Sequence, residues 1–400
     1  MHANSVRKSD SLGRYFTSET VGQLLIDSMQ SVTPSLVLDL GAGDGALTAA
    51  ASRQWANANF LTVDIDLNAG SKSLLHCQEG RFIHTTADAL CHDLPDKINL
   101  ALASADAAVC NPPYIRPKWQ SDFRYILEEA GLDDVLCSKN DVSAELLFIA
   151  QNLRLLKNGG MLGLILPDGI ISGDKHSELR RKLLENHAIQ SVIELPRGVF
   201  SRTDAKTHIL VLEKNGKPTS SLLLRRFDNV NQFSKSVRID ASDAIVRLDY
   251  SYHANIQKQS SGRKVGNVAS RIARGRTSSS QRHTRPYPVF HTSDMFSGCH
   301  MVPANFLLKS SQTPLDEIVA NPGDILISRV GRNLTEKMCI VENGHVVISD
   351  CIMLIRVPDR YRNLLFSYLS SPEGRVYLDA VSHGVGAKFL TQKAILELTF

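Results

Sequence analysis

Hydrophobic positions follow two alternating patterns in the first half of the chain. Short continuous apolar runs are typical of buried strands in a parallel sheet, and longer segments with apolar residues every three or four positions are typical of amphipathic helices. Seven strands are predicted, at residues 36–40, 60–64, 81–84, 106–110, 161–166, 189–195 and 207–213. Helices are predicted to begin near residues 18, 46, 143 and 178. Strands that alternate with helices predict a doubly wound α/β domain with a seven-stranded, mostly parallel sheet.

The pattern changes after the seventh strand. Residues 214–220 are rich in turn-forming residues and predict a domain boundary. Residues 221–259 alternate like short strands, and we interpret residues 216–262 as a connector. Further strands are predicted at 323–329 and 346–356, and a helix at 364–381. The sequence therefore predicts one domain over 1–215 and a second, α+β domain over 263–400.

Composition narrows the class of protein. A hydrophobic content of 43% and a charged content of 22% are typical of a soluble globular protein. The seven cysteines contain no Cys-x-x-Cys pair, so we expect reduced thiols and no metal site. The sequence starts without a signal-like apolar core and contains no run of membrane-spanning length, so a cytoplasmic location and no membrane partner are expected. The net charge of +4 is small, but residues 258–285 carry eight lysines and arginines without one acidic residue.

The run from Asp106 to Tyr114, Asp-Ala-Ala-Val-Cys-Asn-Pro-Pro-Tyr, carries the first candidate chemistry. Because the two prolines cannot continue a sheet ladder, the chain leaves the sheet at its carboxyl end, where open α/β sheets bind ligands. Asn111 supplies a hydrogen-bond acceptor and Tyr114 a flat face. This set suits a planar ring whose exocyclic amine donates to the Asn111 side chain and the Pro112 carbonyl. The alternative is a strand end followed by a proline-rich loop without such a role.

A second candidate site follows the first strand, which contains Asp39. The loop after it carries three alternating glycines, Gly41, Gly43 and Gly45, which allow the backbone to approach a ligand closely. Gly41-x-Gly43-x-x-Ala46 fits a loose dinucleotide fingerprint. The position of Asp39 fits a methyl donor better, since its carboxylate would lie near the cationic end of a sulfonium cofactor.

Two further acids end the next strands. Asp64 follows the second strand and would accept both hydroxyls of a ribose. Asp88 follows the third strand and would accept the adenine amine of the cofactor, although an isolated acid here is also typical of a turn. The order of these residues along the chain makes the whole series more specific than any one of them.

This series resembles the gamma-class N6-adenine DNA methyltransferases, which include the modification subunits of type I restriction systems. The resemblance covers residues 13–213. Gly13, Phe16 and Thr17 match the family's N-terminal cofactor segment, although Ser18 stands where a proline is common. It implies a class I methyltransferase fold, S-adenosyl-L-methionine as cofactor and adenine as acceptor. The implied cofactor-binding residues are Thr17, Asp39, Gly41, Gly43, Asp64, Asp88 and Asn111.

The resemblance also implies a catalytic set of Asn111, Pro112 and Tyr114. Residues 195–200 are similar to the family's late segment, in which an aromatic packs against the extruded base. Phe200 is therefore predicted to stack on the base together with Tyr114. The two rings would replace the stacking that the base loses when it leaves the duplex. The alternative for Phe200 is a core position at a strand entry.

The C-terminal part resembles a single target-recognition domain of type I specificity subunits, through residues 247–252, 288–294, 321–329 and 348–351. This implies double-stranded DNA as a partner and leaves a restriction or specificity subunit open as another. The basic segment would supply phosphate contacts. Its predicted DNA-binding residues are Arg271, Arg274, Arg276, Arg282 and Arg285. The alternative is a solvated linker.

Other functions share parts of this pattern. Asn-Pro-Pro-Tyr also occurs in enzymes that methylate a glutamine amide of release factors or an exocyclic amine of ribosomal RNA. The long basic extension argues against a compact protein-amide enzyme. A catalytically silent DNA-specificity protein is a further alternative, against which the intact series of acids argues. A nicotinamide enzyme is less consistent with the sequence, because no acid or base for hydride transfer stands out.

Overall fold

The computed structural model describes residues 17–69, 81–200, 206–228, 232–258, 262–384 and 387–400. The chain forms two compact units, residues 1–250 and 251–400. Gly13 and Phe16, predicted in the cofactor segment, lie outside the described residues. No helix in the described ranges is long and apolar enough to cross a membrane.

The first unit alternates strands and helices. Its helices are α1 (Glu19–Asp27), α2 (Ala46–Gln54), α3 (Leu94–Lys97), α4 (Ser121–Glu129), α5 (Ala144–Leu155), α6 (Asp168–Ser172), α7 (Ser177–Asn186) and α8 (Ala241–Val246). Its strands are β1 (Leu36–Leu40), β2 (Asn59–Asp64), β3 (Phe82–Thr86), β4 (Ala105–Cys110), β5 (Leu156–Pro167), β6 (Ala188–Glu194), β7 (Thr207–Glu213), β8 (Ser221–Arg226) and β9 (Val237–Asp240). All seven strands predicted for this half are present.

These strands form one sheet in the order β3-β2-β1-β4-β5-β7-β6-β8-β9. Strands β1 to β5 pair in parallel, and β7 runs antiparallel to both of its neighbours. This confirms the predicted doubly wound, mostly parallel sheet. The carboxyl ends of β1, β2 and β4 consequently meet at one edge, where a site can be assembled.

Strands β8 and β9 extend the sheet beyond the seven predicted strands. Strand β8 pairs in parallel with β6 and antiparallel with β9. The residues predicted as a connector therefore contribute two strands and α8 to the first unit, whose last residue is Tyr250. The functional division into a catalytic and a recognition domain stays a prediction.

Helix α1 lies directly on the sheet. A methyl group on Gly163 of β5 would stand 2.4 Å from Met29 Sδ and 3.0 Å from Leu25 Cδ1. Only a residue without a side chain allows this close approach of helix and strand. The buried apolar face of α1 thereby helps to hold Thr17, two residues before the helix, next to the carboxyl edge of the sheet.

Helix α5 ends earlier than its sequence indicates. The Asn158-Gly159-Gly160 segment predicts a helix stop there, but α5 ends at Leu155 and β5 begins at once. The reason is that Leu156 pairs with Ala105 of β4, so the backbone enters the sheet before the glycines.

The second unit is an α+β arrangement. Its helices are α9 (Tyr250–Lys258), α10 (Asp359–Ser370), α11 (Pro372–Val381) and α12 (Gln392–Leu396). Its strands are β10 (Arg271–Arg274), β11 (Val289–Phe290), β12 (Val319–Ala320), β13 (Ile325–Ser328), β14 (Val330–Gly331), β15 (Met338–Ile340), β16 (Val346–Ile348), β17 (Ile352–Arg356) and β18 (Lys388–Phe389).

The centre of this unit is the four-stranded sheet β10-β17-β13-β15. Alternate residues of β13 face two different cores. Ile325 and Ile327 join the cluster that contains Leu365 and Leu378 of the helices, and Leu326 joins the cluster of the β11-β16-β12 sheet. The single predicted helix at 364–381 is two helices, because Ser371 caps α11 and Pro372 cannot donate the hydrogen bond that would continue α10.

Candidate cofactor and acceptor site

A cavity of about 250 Å³ lies at the carboxyl edge of the first unit's sheet. The loops after β1, β2, β3 and β4 line it, together with apolar side chains such as Leu47, Phe123 and Phe148. All seven predicted cofactor-binding residues line this one cavity, namely Thr17, Asp39, Gly41, Gly43, Asp64, Asp88 and Asn111. The apolar wall positions were not identified from the sequence, because their periodicity is that of ordinary core residues.

The glycine loop has the conformation that requires glycine. Gly41 and Gly43 have φ values of 76° and 55°, in the left-handed region that other residues seldom adopt. A Cβ on Gly43 would meet no described atom within 4 Å, so the loop leaves open space at this position. Backbone amides of the loop can therefore approach a ligand closely.

Asp64 is held rigidly beside this loop. Its side chain is buried, and its two oxygens accept hydrogen bonds from Gly43 N and Asp66 N, each at 2.8 Å. Each carboxylate oxygen can accept a second hydrogen bond, so two ribose hydroxyls remain a chemically reasonable partner. Asp88 is half-buried and accepts from Leu90 N at 2.9 Å. The binding roles of both acids stay predictions.

Asp39 is a buried carboxylate with one unmatched oxygen. Thr48 Oγ1 donates to its Oδ2 at 2.6 Å, whereas its Oδ1 has no hydrogen-bond partner among the described residues. Burial raises the pKa of Asp39 to about 7, the Thr48 hydrogen bond opposes this rise, and the charge of Asp64 adds to it. A buried carboxyl group with one oxygen free of hydrogen bonds suits a cationic group of a ligand in the cavity. Asp39 therefore fits a cofactor that carries a sulfonium group.

The raised pKa of Asp39 predicts an unusual pH dependence of stability. Between pH 3.8 and about 7 the folded protein keeps a proton that the unfolded chain releases. The free energy of unfolding should therefore fall as pH rises through this window, by at most about 4 kcal/mol at about 1.4 kcal/mol per pKa unit.

Asp39→Asn should remove this fall and also reduce the upward shift of the melting temperature that S-adenosyl-L-methionine is expected to cause. Urea unfolding followed by the fluorescence of Trp55 and Trp119 measures the effect, and parallel pH curves for the two proteins would contradict it.

Asn111 connects the acceptor loop to the segment before α1. Its Nδ2 donates to Thr17 Oγ1 at 3.0 Å, and the Tyr114 hydroxyl donates to its Oδ1 at 3.3 Å. The same hydroxyl lies 3.5 Å from the Ile165 carbonyl oxygen. The Pro112 side chain is buried, while those of Asn111 and Tyr114 are half-buried. Of the three predicted catalytic residues, Asn111 lines the cavity, together with Pro113, whereas Pro112 and Tyr114 are not among the lining residues, and Tyr114 is joined to Asn111 by its hydroxyl.

Phe200 lies elsewhere. It is 2% exposed and packs in an apolar core cluster with residues such as Ile193 and Leu195. It does not line the described cavity. This buried position agrees with the alternative of a core residue at a strand entry, and the stacking role of Phe200 stays a prediction.

A buried charge cluster at the same sheet edge was missed from the sequence. Lys206 Nζ lies 3.2 Å from Glu194 Oε2, 3.2 Å from Asp249 Oδ2 and 3.4 Å from Asp168 Oδ1. His208 Nε2 lies 3.0 Å from the same Asp168 oxygen. These side chains come from segments far apart in the chain, so their spacing carries no sequence signal. We refer to Asp168, Glu194, Lys206, His208, Arg247 and Asp249 as the ion cluster.

Opposite charges in the ion cluster offset the effect of burial on the pKa values of Lys206 and Asp249. Burial alone would lower the pKa of Lys206, but the carboxylates of Glu194, Asp249 and Asp168 raise it above its ordinary value. Burial alone would raise the pKa of Asp249, but Arg247 and Lys206 lower it. Arg247 donates to Asp249 through Nε at 2.7 Å and Nη2 at 2.9 Å. Arg247, Leu248 and Asp249, the first residues of the segment that resembles the start of a recognition domain, are therefore buried within the first unit.

The predicted DNA-binding arginines fall into two groups. Arg276 donates to the Asp316 carbonyl at 2.7 Å, Arg282 pairs with Asp294 at 3.0 Å, and Arg285 pairs with Glu317 at 3.1 Å. These three contacts lie within the second unit. Arg271 and Arg274 are exposed on the edge strand β10 and form no ion pair with the described residues. The structure thus separates these two from three arginines with contacts inside their own unit, of which Arg276 is also exposed.

The fold and the cavity define the class of this protein. The order β3-β2-β1-β4-β5-β7-β6 with β7 reversed, and a glycine-loop cavity beside β1, are the features of a class I methyltransferase fold. A family model described as N-6 DNA Methylase matches residues 1–262, and the chain belongs to this family.

Comparison with individual proteins agrees with this assignment. The chain is 25% identical over 264 residues to the type I restriction enzyme MpnII methylase subunit of Mycoplasma pneumoniae, covering 58% of this chain and 45% of that protein. It is 25% identical over 204 residues to the type II methyltransferase M.BsuBI of Bacillus subtilis, covering 46% and 39%. The chain thus spans less than half the length of both relatives.

One solved structure is similar to this chain over residues of both units. The type IIG restriction endonuclease BpuSI aligns with 97% of this chain and 59% of its own, with a TM-score of 0.53 and 15% sequence identity. At this identity the likeness concerns the fold.

Proposed function

We propose that this protein transfers a methyl group from S-adenosyl-L-methionine to the N6 amine of adenine in DNA. The observation that carries the proposal is the convergence of Asn111 with Asp39, Asp64 and Asp88 at one cavity, in a member of the N-6 DNA methylase family. The acids suit the cofactor, and the Asn-Pro-Pro-Tyr turn suits the acceptor amine.

Three carboxylates would hold the cofactor. Asp64 would accept the ribose hydroxyls, Asp88 the adenine amine, and Asp39 would lie near the cationic end. When bound, S-adenosyl-L-methionine supplies a methyl group activated by its positive sulfur. Because the cofactor is itself electrophilic, the protein has to provide position and electrostatics and does not need a nucleophilic side chain. Burial raises the pKa of the nearby Cys110 thiol well above its ordinary value, which makes it a poor nucleophile.

The acceptor amine needs activation, because its lone pair is delocalised into the adenine ring. Accepting its two hydrogens at Asn111 Oδ1 and the Pro112 carbonyl would favour a more pyramidal nitrogen, whose lone pair could attack the methyl carbon in line. As the nitrogen–carbon bond forms, the carbon–sulfur bond would break and S-adenosyl-L-homocysteine would leave with the electron pair. The methylated nitrogen would then lose one of its two hydrogens as a proton to solvent. The Tyr114 hydroxyl donates to Asn111 Oδ1 at 3.3 Å, and the second lone pair of that oxygen can accept from the amine. The Tyr114 ring can then stack on the base, which must be extruded from a duplex to expose the amine.

The second unit is proposed to bind double-stranded DNA and select its sequence. A restriction or specificity subunit is proposed as a further partner, in keeping with the restriction-system names of the relatives. Because Arg276, Arg282 and Arg285 are engaged within the unit, we assign the phosphate contacts of the basic segment to Arg271 and Arg274.

Replacing both exposed arginines should weaken DNA binding without changing sequence preference. In the double variant Arg271→Ala/Arg274→Ala, the slope of log affinity against log salt concentration should fall by about 2, since each phosphate contact contributes about 0.9. Anisotropy titrations at several salt concentrations measure the slope. Arg276→Ala is the matched control and should leave the slope unchanged. A changed sequence preference in the double variant would instead make these arginines base readers.

Transfer to different acceptors tests the proposed function. The full chain and labelled S-adenosyl-L-methionine are incubated separately with double-stranded DNA, ribosomal RNA and a glutamine-containing peptide, and DNA from cells expressing the chain is sequenced for modified bases. N6-methyladenine at one recurrent sequence is expected. Label in RNA or peptide would overturn DNA as the substrate. Cofactor binding without label in any acceptor would contradict self-sufficient turnover.

A further inference from the structure

A second cavity, of about 1050 Å³, lies within the second unit. Its lining includes Arg263, Lys264, Arg360, Tyr361 and Phe400, and we refer to it as the basic groove. Three of these side chains are cationic, and no acidic residue of the described ranges lines the groove. A cleft lined by charges of one sign concentrates ions of the opposite sign, so the groove suits an anionic ligand.

Two of the cations are held by an aromatic ring and not by a carboxylate. The guanidinium carbons of Arg263 and Arg360 each lie 4.8 Å from the centre of the Tyr361 ring. Both side chains are exposed, and neither forms an ion pair with the described residues. A guanidinium on an aromatic face keeps its N–H groups available, because the ring contacts only its flat side. Both arginines can therefore bind an anion.

The acids that lie next to the groove in sequence already have cationic partners. Asp359 pairs with Arg362, and Glu397 pairs with Lys264 at 2.7 Å. Lys264 is thus compensated in part, whereas the two arginines on Tyr361 are not. The positive charge that a ligand meets in the groove comes mainly from these arginines.

Backbone and ring contacts fix the frame of the groove. Arg263 N donates to Phe400 O at 3.0 Å, and Phe400 N donates to Arg263 O at 3.1 Å. The Phe400 ring meets the Tyr361 ring edge-on, with the centroids 6.4 Å apart. Arg360 and Tyr361 stand in the first turn of α10, whose positive dipole end adds to the potential of the groove.

The groove adjoins one of the exposed arginines of β10. Arg271 pairs with Arg356 of β17, and the lining of the groove includes Pro358, two residues further on. A DNA strand carries a phosphate about every 3.4 Å of helix axis. Cations that continue from one strand end into a large groove therefore match an extended phosphate backbone better than a single small anion.

We propose that the basic groove binds the phosphate backbone of double-stranded DNA, with Arg263 and Arg360 as the contacting residues and Tyr361 as the residue that positions them. This inference rests on the proposed binding of DNA by the second unit. It adds to the contacts assigned to Arg271 and Arg274, and it extends phosphate binding beyond the basic segment to α10. Because phosphates are alike in every sequence, the groove contributes affinity and not sequence preference.

Replacing the two arginines tests the groove in the full chain. In Arg263→Ala/Arg360→Ala, the slope of log affinity for a labelled duplex against log salt concentration should fall by about 2. The control Lys309→Ala/Arg332→Ala removes the same charge from exposed positions of the second unit outside the groove, and should leave the slope nearly unchanged. An unchanged slope in the groove variant would overturn the proposal, as would an equal fall in the control.

Two replacements of Tyr361 test its positioning role without changing the charge. Tyr361→Phe keeps the ring face and should bind the duplex within about twofold of the wild type. Tyr361→Leu removes the face and should weaken binding about three- to tenfold, the scale of two exposed cation–π contacts. Melting temperatures of the two variants establish that the unit remains folded. Wild-type affinity in Tyr361→Leu would contradict the positioning role.

Competitors at matched ionic strength decide the class of ligand. Unlabelled duplex should displace the labelled duplex, whereas ATP and polyglutamate at the same concentration of negative charge should not. Displacement by ATP that depends on Arg263 and Arg360 would assign the groove to a free phosphate ester, and such displacement by polyglutamate would assign it to an acidic polypeptide. Either result would overturn a DNA groove.

The outcomes separate this inference from the proposed function. Methylation of DNA by the wild type, together with an unchanged salt slope in Arg263→Ala/Arg360→Ala, would overturn the groove and leave the proposed function intact. Transfer of label only to RNA or peptide, together with the expected slopes for duplex DNA, would overturn the proposed function and leave the groove intact.

Discussion

Asn111→Ala is expected to slow methyl transfer to adenine by at least about two orders of magnitude, the scale for losing one group positioned at a reacting centre. The variant loses the oxygen that would accept an amine hydrogen, while the glycine loop, Asp64 and Asp88 are unchanged. Cofactor affinity should therefore stay within about a few-fold, and added cofactor should still raise the melting temperature.

Single-turnover transfer of labelled methyl and calorimetric titration of the cofactor measure the two effects separately. Asn158→Ala is a suitable control, because Asn158 is exposed and its amide contacts Asn215 at 2.8 Å, away from the cavity. Near-normal transfer by Asn111→Ala would remove the Asn-Pro-Pro-Tyr turn from the proposed mechanism.

Lys206→Met is expected to destabilise the first unit by about 3–5 kcal/mol, the usual cost of removing one partner of a buried ionic group. The side chain of Lys206 is only 6% exposed and contacts three carboxylates. Its removal leaves Asp168 and Glu194 close together with less compensating charge. Chemical denaturation followed by Trp55 and Trp119, the two tryptophans of the chain, reports the stability of the unit that contains both.

The pH dependence distinguishes this mechanism from a simple packing defect. Loss of the ammonium group should raise the pKa of the remaining carboxylates, so the variant takes up protons more readily than the wild type. The deficit in the free energy of unfolding should consequently be smaller at pH 5 than at pH 8. Lys182→Met, which breaks an exposed pair with Asp134, is the control and should leave the unfolding midpoint nearly unchanged. A deficit of the same size at both pH values would point to packing alone.

The strands and the cofactor residues were predictable because their signals are local. Each strand is a short apolar run, and each predicted cofactor residue except Thr17, which precedes α1, stands near or just after the end of one. In a doubly wound sheet the carboxyl ends of neighbouring parallel strands meet, so local positions become a site without any knowledge of distant contacts. Asp39, Asp64, Asp88 and Asn111 reach one cavity for this reason.

The features that the sequence did not reveal depend on distant pairing. Lys206 meets Asp168, Glu194 and Asp249 only once three strands and the segment after α8 are assembled. The burial of Phe200 in an apolar cluster likewise depends on packing between distant segments, and its role stays a prediction. The Arg282 side chain has a carboxylate opposite it in Asp294, which the basic composition of the segment does not indicate.

The ion cluster limits where the first unit can be joined to a second unit taken from another protein. A fragment of the first unit that ends after β7, near Asn215, would lose β8 and leave β6 as an open sheet edge. It would also leave Lys206 without Asp249. A recombination junction downstream of Tyr250 keeps both contacts within the first unit. We therefore expect a different second unit to be grafted successfully after Tyr250, and grafts that begin at residue 216 to yield aggregation-prone hybrids.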